Sequence, residues 1–301
     1  MGNILLLFVC LMLGIGLRWL NRMPEAAPAA LNAFVINISL PALVLVQLHG
    51  MVLRSGLVFA VAMPWMLFAV GCAFFWAAGR MLRLDTPTVG ALMLAGGLAN
   101  TSFVGLPMIE AFYGRAEMSV GILIDQLGTY LVLSTVGIFI AAAFAGGSVS
   151  RAEVVRRIVT FPPLLALAVA VLLSGVAYPH WLNELLGRLS VTLVPLALVS
   201  VGLQLRLTAL EGNVRALLTG LGFKLVLGPA VIALVYLLLL HVSGETVRVT
   251  LFEAAMGPMI GGAIVASQSR LNPPLVSLMV GTGITLSFVT LPLWYLALAA
   301  F

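Results

Sequence analysis

The sequence predicts an all-α polytopic membrane protein of ten transmembrane helices, built as two inverted five-helix repeats with interrupted helices four and nine. Three observations predict it. The 301 residues are 62% hydrophobic and only 8% charged, with a mean hydropathy of +1.18, too little charge to cover the surface of a water-soluble domain. Apolar stretches of ~20 residues recur from end to end, the length a helix needs to cross ~30 Å of hydrocarbon. Two of these stretches are broken by Gly and Pro at matching places in the two halves of the chain. A transmembrane β-barrel would instead alternate apolar and polar residues in short segments.

The ten spans are residues 3–20, 28–48, 56–79, 87–112, 117–143, 155–176, 184–205, 213–239, 247–268 and 274–299. The first lacks a basic region before it and a small-residue cleavage site after it, so it reads as a span and not as a cleaved signal. Connections are short. The longest polar one, Gly146 to Arg157, falls mid-chain and divides it into a first repeat (1–146), a linker on the cytoplasmic side (147–157) and a second repeat (158–301). Cys10 and Cys72 both fall inside spans, which suits packing residues and not a disulfide or metal pair. The net charge of +5 comes from basic residues scattered between apolar runs. It signals topology and gives no reason to expect nucleic acid as a partner; the lipid bilayer is the partner that composition implies.

Orientation follows from Lys and Arg in the loops. One set of loops holds Arg18, Arg22, Arg80, Arg83, Arg151, Arg156, Arg157, Arg206, Arg215 and Arg270; the other holds Arg54, Arg115, Arg188 and Arg248. The imbalance places both termini outside the cytoplasm. His49, His180 and His241 then fall near outer loops. Trp19 and Trp76 sit at inner span ends, and Trp181, Trp294 and Tyr295 near outer ends, as interfacial anchors do.

Five spans per half is an odd number, so the second half must insert upside down. The halves echo one another. LPALVLVQL in span two and VPLALVSVGLQL in span seven carry Pro41 and Pro195. Span four carries Pro107, and GPMIGGAIVASQS in span nine carries Pro258, 151 residues later. Interrupted spans at matching places in two halves are the best sequence pointer to a transporter binding site.

The stretch Gly96–Gly114, GGLANTSFVGLPMIEAFYG, is the most informative of these. Gly96, Gly97, Gly105 and Pro107 weaken helix, and Asn100, Thr101 and Ser102 place three polar side chains in a row. Broken helix at membrane depth survives only where it is buried in protein or lines a wet cavity. A simple kink would need only Pro107 and leaves the Asn-Thr-Ser run unexplained. The stretch therefore reads as two half-helices meeting at a break, the second beginning near Pro107 and aiming its N–H groups into the break. In span nine, Gly257, Gly261 and Gly262 surround Pro258; Gly257 and Gly261 also form a small-xxx-small pair suited to helix packing.

These residues resemble the auxin efflux carrier family. NTSFVGLPMIEAFYG is similar to its N-x-x-F-x-G-x-P…Y-G signature; LNAFVINISLPALVL, VPLALVSVGLQL, KLVLGPAVIALV and TLSFVTLPLWYLAL fit as well, so the resemblance spans essentially the whole chain. It implies the fold of sodium–bile-acid symporters and NhaA-type sodium–proton antiporters, with broken helices four and nine crossing at the centre. It implies secondary transport of small organic anions such as malate and malonate, in the plasma (inner) membrane of a bacterium. A homodimer is compatible with it. Asn100 and Pro107 match the first crossover and Pro258 the second. The chain departs from the family four residues after Pro258, where members often carry Asn and this chain has Gly262.

The expectation is thus a carrier whose anion sits near Asn100, Thr101, Ser102, Gly105 and Pro107 on one side and Pro258, Gly261 and Gly262 on the other. Half-helix N-termini bind carboxylate without a cationic side chain. Ionisable residues at membrane depth are costly enough to suspect function. Asp125 could carry a coupling proton or form a structural ion pair. Lys224 could attract a dianion or neutralise Asp125 or Glu253. Glu110, near a span end, reads as reaching water. No cofactor is expected, and proton or sodium coupling stays open. Enzyme motifs (HExxH, GxSxG, Walker A, GxGxxG) are missing. The rivals are a cation–proton antiporter using Asp125, and a non-transporting membrane sensor or scaffold, which would call for an output domain.

Overall fold

The computed structural model describes residues 2–49, 56–147, 150–174, 176–204 and 212–300. Arg54 and Arg206, two of the arginines used for orientation, lie outside these, as does part of the Gly146–Arg157 linker. Among the described residues the chain is helical, with no strand and one isolated antiparallel bridge.

The helices are α1 (Gly2–Trp19), α2 (Ala27–Leu48), α3 (Leu57–Leu82), α4 (Thr86–Gly96), α5 (Thr101–Phe112), α6 (Arg115–Phe144), α7 (Arg151–Val159), α8 (Pro162–Leu172), α9 (His180–Gln204), α10 (Val214–Leu239), α11 (Glu245–Ala254), α12 (Ile260–Gln268) and α13 (Pro273–Leu298). Six of them, α2, α3, α6, α9, α10 and α13, are long and apolar enough to cross a membrane. The other apolar helices are shorter: Leu5–Trp19 within α1, α4, α5 and α8.

Helix ends follow ordinary capping chemistry. Asp85 opens α4 by accepting the Thr88 N–H at 3.0 Å, with Pro87 in the first turn. Asn272 opens α13 by accepting the Leu275 N–H at 3.2 Å. Its amide also donates to Thr88 Oγ1 (2.8 Å) and Asn213 Oδ1 (3.0 Å). The starts of α4, α10 and α13 are thereby tied together. Gly114, in the left-handed region at φ 87°, makes the turn between α5 and α6.

Three prolines inside apolar helices follow widened turns, whereas Pro64 and Pro292 sit within regular α-helix. Val35–Ser39, Thr101–Gly105 and Phe223–Leu227 are each π-helical, and each ends two residues before a proline: Pro41, Pro107 and Pro229. A proline in a regular α-helix strikes the carbonyl four residues back and leaves it without a donor. A wider turn relieves the clash. For Pro229 that carbonyl belongs to Leu225, and the Trp294 indole N–H takes it at 2.9 Å. Trp294, expected as an interfacial anchor, also ties its indole N–H to this carbonyl.

The chain divides into two compact units. The first contains Met1–Arg54, Ser102–Ile122 and Arg156–Leu205. There α1 packs on α9 with Gly14 against Gly202, where a Cβ on either glycine would come within 2.4 Å of a backbone carbonyl oxygen. Part-buried polar pairs tie the same unit: Ser39 with Thr192 at 2.7 Å, and Ser200 donating to Asn32 at 2.5 Å. The second unit contains Ser55–Thr101, Leu123–Val155 and Arg206–Phe301. It holds α3, α4, most of α6, and α10 to α13. Its centre is lined by Phe75 and Phe223, whose rings meet at 4.9 Å, and by Leu92, Leu94 and Phe252.

Candidate functional site: two paired helix breaks

The site is built where two helices of the second unit stop. α4 ends at Gly96 and α11 ends at Ala254; residues 97–100 and 255–259 run outside regular helix before α5 and α12 begin. The two irregular segments pair with one another. Ala99 and Pro258 form the isolated antiparallel bridge, and the Asn100 N–H donates to the Gly257 carbonyl at 2.9 Å. Every residue from 91 to 101 and from 249 to 260 is buried. Backbone freed by one break is thus satisfied by the other, which is how irregular backbone persists away from water.

The break lies earlier than the proline suggested. The sequence placed the second half-helix near Pro107; in the structure helix resumes at Thr101, and Pro107 sits in the first α-helical turn after the π-helical turn Thr101–Gly105. The widened turn carries the proline, so the break falls on Gly97–Asn100 instead.

Polar side chains gather at the pairing. Asp125 lies on a π-helical turn of α6, Ile124–Thr129. Its Oδ1 accepts the Thr101 hydroxyl at 2.5 Å and its Oδ2 accepts the Gln126 side-chain amide at 2.6 Å. Gln126 and Thr129 are fully buried, and the described residues offer no partner to Gln126 Oε1 or Thr129 Oγ1. Lys224 lies on the π-helical turn Phe223–Leu227, fully buried, and its ammonium donates to the Ala254 carbonyl at 2.9 Å. That carbonyl closes α11, directly after Glu253. Glu253 is fully buried, and neither of its carboxylate oxygens has a hydrogen-bond partner among the described residues. Lys224 and Asp125 are the charges that act on it.

Of the sequence-predicted residues, Asn100, Thr101, Asp125, Lys224, Glu253, Pro258, Gly261 and Gly262 fall in this unit. Asn100 and Pro258 are in the paired segments, and Thr101 and Asp125 are bonded directly. Gly262 packs hard: a Cβ there would sit 2.4 Å from the Leu94 carbonyl oxygen, so it lets α12 close on α4. A Cβ on Gly261 would meet Leu133 and Met259 side chains at 3.2 Å. Ser102, Gly105 and Pro107 fall in the first unit. Gly105 and Pro107 are buried, and Ser102 and Glu110 are half-buried. Sequence reasoning passed over Gln126 and Thr129. The signal was present in IDQLGT, where an amide follows the carboxylate directly in an apolar span.

Helices of membrane length, joined by short connections and holding two mutually paired breaks, define an integral membrane protein of the transporter class. The comparisons agree. The family model described as membrane transport protein matches residues 1–295. An uncharacterized transporter of Methanothermobacter thermautotrophicus is 30% identical over 98% of this chain and 97% of its own length. A second, from Methanocaldococcus jannaschii, is 23% identical over the same shares. The chain belongs to this membrane transport protein family, that of the auxin efflux carriers. It is a family of transporters, not of enzymes.

Proposed function

We propose that the protein is a secondary carrier that exports or exchanges a small organic anion, a mono- or dicarboxylate with malonate or malate as the first candidates. The observation that carries this reading is the backbone pairing of the two breaks, Asn100 N–H to Gly257 C=O, beside the Thr101–Asp125 hydrogen bond. α12 starts at this pairing, and the N–H groups of its first turn, Ile260 to Gly262, have no acceptor within their own helix. Such a turn favours a carboxylate through its N–H groups and dipole. Asn100 adds an amide able to donate to a carboxylate or an attached hydroxyl. Malonate and malate come from the family resemblance.

The inverted ten-span arrangement is part of the proposal, and two observations support it. The starts of α4, α10 and α13 are tied by Asn272, so they share one membrane face. With spans four, eight and ten starting together, an even number of crossings separates each pair, as the ten-span count requires. Further, the first compact unit draws on spans one, two, six and seven together with Ser102–Ile122 from spans four and five, while the second holds span three, the rest of spans four and five, and spans eight to ten. Apart from Ser102–Ile122, each unit takes matching members of the two halves. Alternating access by elevator-like or rocking motion suits a chain divided in this way. We place both termini outside the cytoplasm on the arginine distribution. Anion exit would then follow a potential negative inside, by about 2.3 kcal/mol per charge for each 100 mV.

The test is a thermal-shift screen of the purified protein over mono- and dicarboxylates, with and without sodium and at two pH values. A carboxylate that raises the melting temperature of the wild type and not of Asn100→Ala supports the reading. Stabilisation by sodium or pH alone, with no response to any carboxylate, would favour a cation–proton antiporter using Asp125.

A further inference from the structure

We propose that Glu253 is a proton-carrying carboxyl and that the carrier moves one proton together with its anion. This rests on the carrier reading above and assigns its coupling ion.

The argument begins with a charge count. Three ionisable side chains are buried in the second unit, Asp125, Lys224 and Glu253, all 0–2% exposed, and the first two act electrostatically on the third. Two carboxylates and one ammonium leave one negative charge without compensation, a costly state away from water. One proton removes it. The hydrogen bonds decide which carboxyl takes that proton. Asp125 accepts from the Thr101 hydroxyl and the Gln126 amide, and both stabilise the ionised form. Glu253 accepts from no group among the described residues. The proton therefore sits on Glu253 as an O–H bond, formed with a proton taken from water on one side of the membrane and broken by release on the other.

The neighbours narrow the choice of partner. α11 packs against α3, the middle of α10, and α13. α3 brings Cys72 and Arg80, the latter stacked over Trp76 near the helix end. α10 brings Arg215, Lys224 and Tyr236, whose hydroxyl donates to the Phe59 carbonyl. α13 brings Tyr295, whose ring meets Phe252 edge-on. α11 itself carries Glu245 and Arg248 toward its start. Of all these, together with Asp125 on α6, only Lys224 and Asp125 act on the Glu253 charge.

Lys224 supplies the link to transport. In the protonated state it bonds the Ala254 carbonyl, the last of α11 before the break. Loss of the proton gives Glu253 a charge that competes for the same ammonium. Lys224 then has two alternative acceptors, one of which anchors the backbone leading to Gly257 and Pro258.

Infrared spectroscopy of the purified full-length protein tests the proton directly, without substrate. The wild type should show the carbonyl stretch of a protonated carboxylic acid that persists at neutral pH and shifts in heavy water, and Glu253→Gln should lack it. A wild type with no such band overturns the proposal, whatever the variant does. Proteoliposomes loaded with a pH dye then test coupling. Wild-type uptake of labelled malonate should acidify the lumen and accelerate several-fold under an inward proton gradient, and Glu253→Gln should lose the acidification. Malonate exchange without acidification, or uptake driven by sodium, overturns the proton assignment while the carrier reading stands. Absence of exchange with any carboxylate overturns the carrier reading, and a persistent acid band would keep Glu253 as a protonated group without a transported anion.

Discussion

The Thr101 hydroxyl donates to the Asp125 carboxylate at 2.5 Å, joining the first residue after the break in one helix to a widened turn in another. Thr101 follows directly on Asn100, whose N–H is held by Gly257. One short stretch thus carries both the backbone pairing and a bond to the buried carboxylate.

That bond sets the first prediction. Thr101→Val keeps the shape of the side chain and removes its donor, leaving Asp125 with one fewer partner in a buried place. The expected loss is about 1–3 kcal/mol of stability. Thr101→Ser, which keeps the hydroxyl, should recover most of it. The melting temperatures of the two purified variants check this; equal melting points would mean that the hydrogen bond contributes nothing to stability.

Gly262 sets the second. An added Cβ would lie 2.4 Å from the Leu94 carbonyl oxygen, which belongs to backbone and has little room to move. Gly262→Ala should cost about 1–3 kcal/mol through overpacking of α12 on α4. Gly222→Ala, where nothing lies within 4 Å, is the control and should change little. Expression level and melting temperature of the two variants separate them.

Trp294 sets the third. Its indole N–H satisfies the Leu225 carbonyl that Pro229 leaves without a donor. Trp294→Phe keeps the aromatic bulk and removes that donor. Hydrogen bonds between membrane helices average about 0.6 kcal/mol, with a maximum near ~1.7. A lowered melting temperature is expected in Trp294→Phe. Replacing Pro229 by Ala in the same chain should restore part of it, because the Ala N–H is free to bond Leu225 within the helix.

The helices were legible because hydropathy is a property of the local chain: each apolar stretch marked in the sequence contains helix. The exact position of the break was not. Pro107 is the stronger helix breaker in isolation, and only the π-helical turn before it shows how helix carries through the proline. That turn depends on packing, which no window of sequence reports. Asp125, Lys224 and Glu253 could be singled out because charge in an apolar run is costly. Their partners could not: Thr101 and Asp125 lie 24 residues apart, and Lys224 and Ala254 30 apart. Gln126 was overlooked although it stands next to Asp125, since an amide in a span signals less strongly than a charge. Gly262 was read from its sequence as a backbone contact for anion; its close approach to Leu94 reveals a packing demand at the same residue.

The central claim is anion transport at the paired breaks, and counterflow of labelled malonate into malonate-loaded proteoliposomes tests it most directly, with unlabelled malate and other carboxylates as competitors. The account predicts rapid exchange by the wild type, inhibited by at least one small carboxylate. In Asn100→Ala, exchange should fall by about 10- to 100-fold, the equivalent of 1–3 kcal/mol lost with one hydrogen-bonding group, while the protein keeps its melting temperature within a few degrees. Counterflow equal to wild type in Asn100→Ala, or no exchange of any carboxylate by a well-folded wild type, would contradict it.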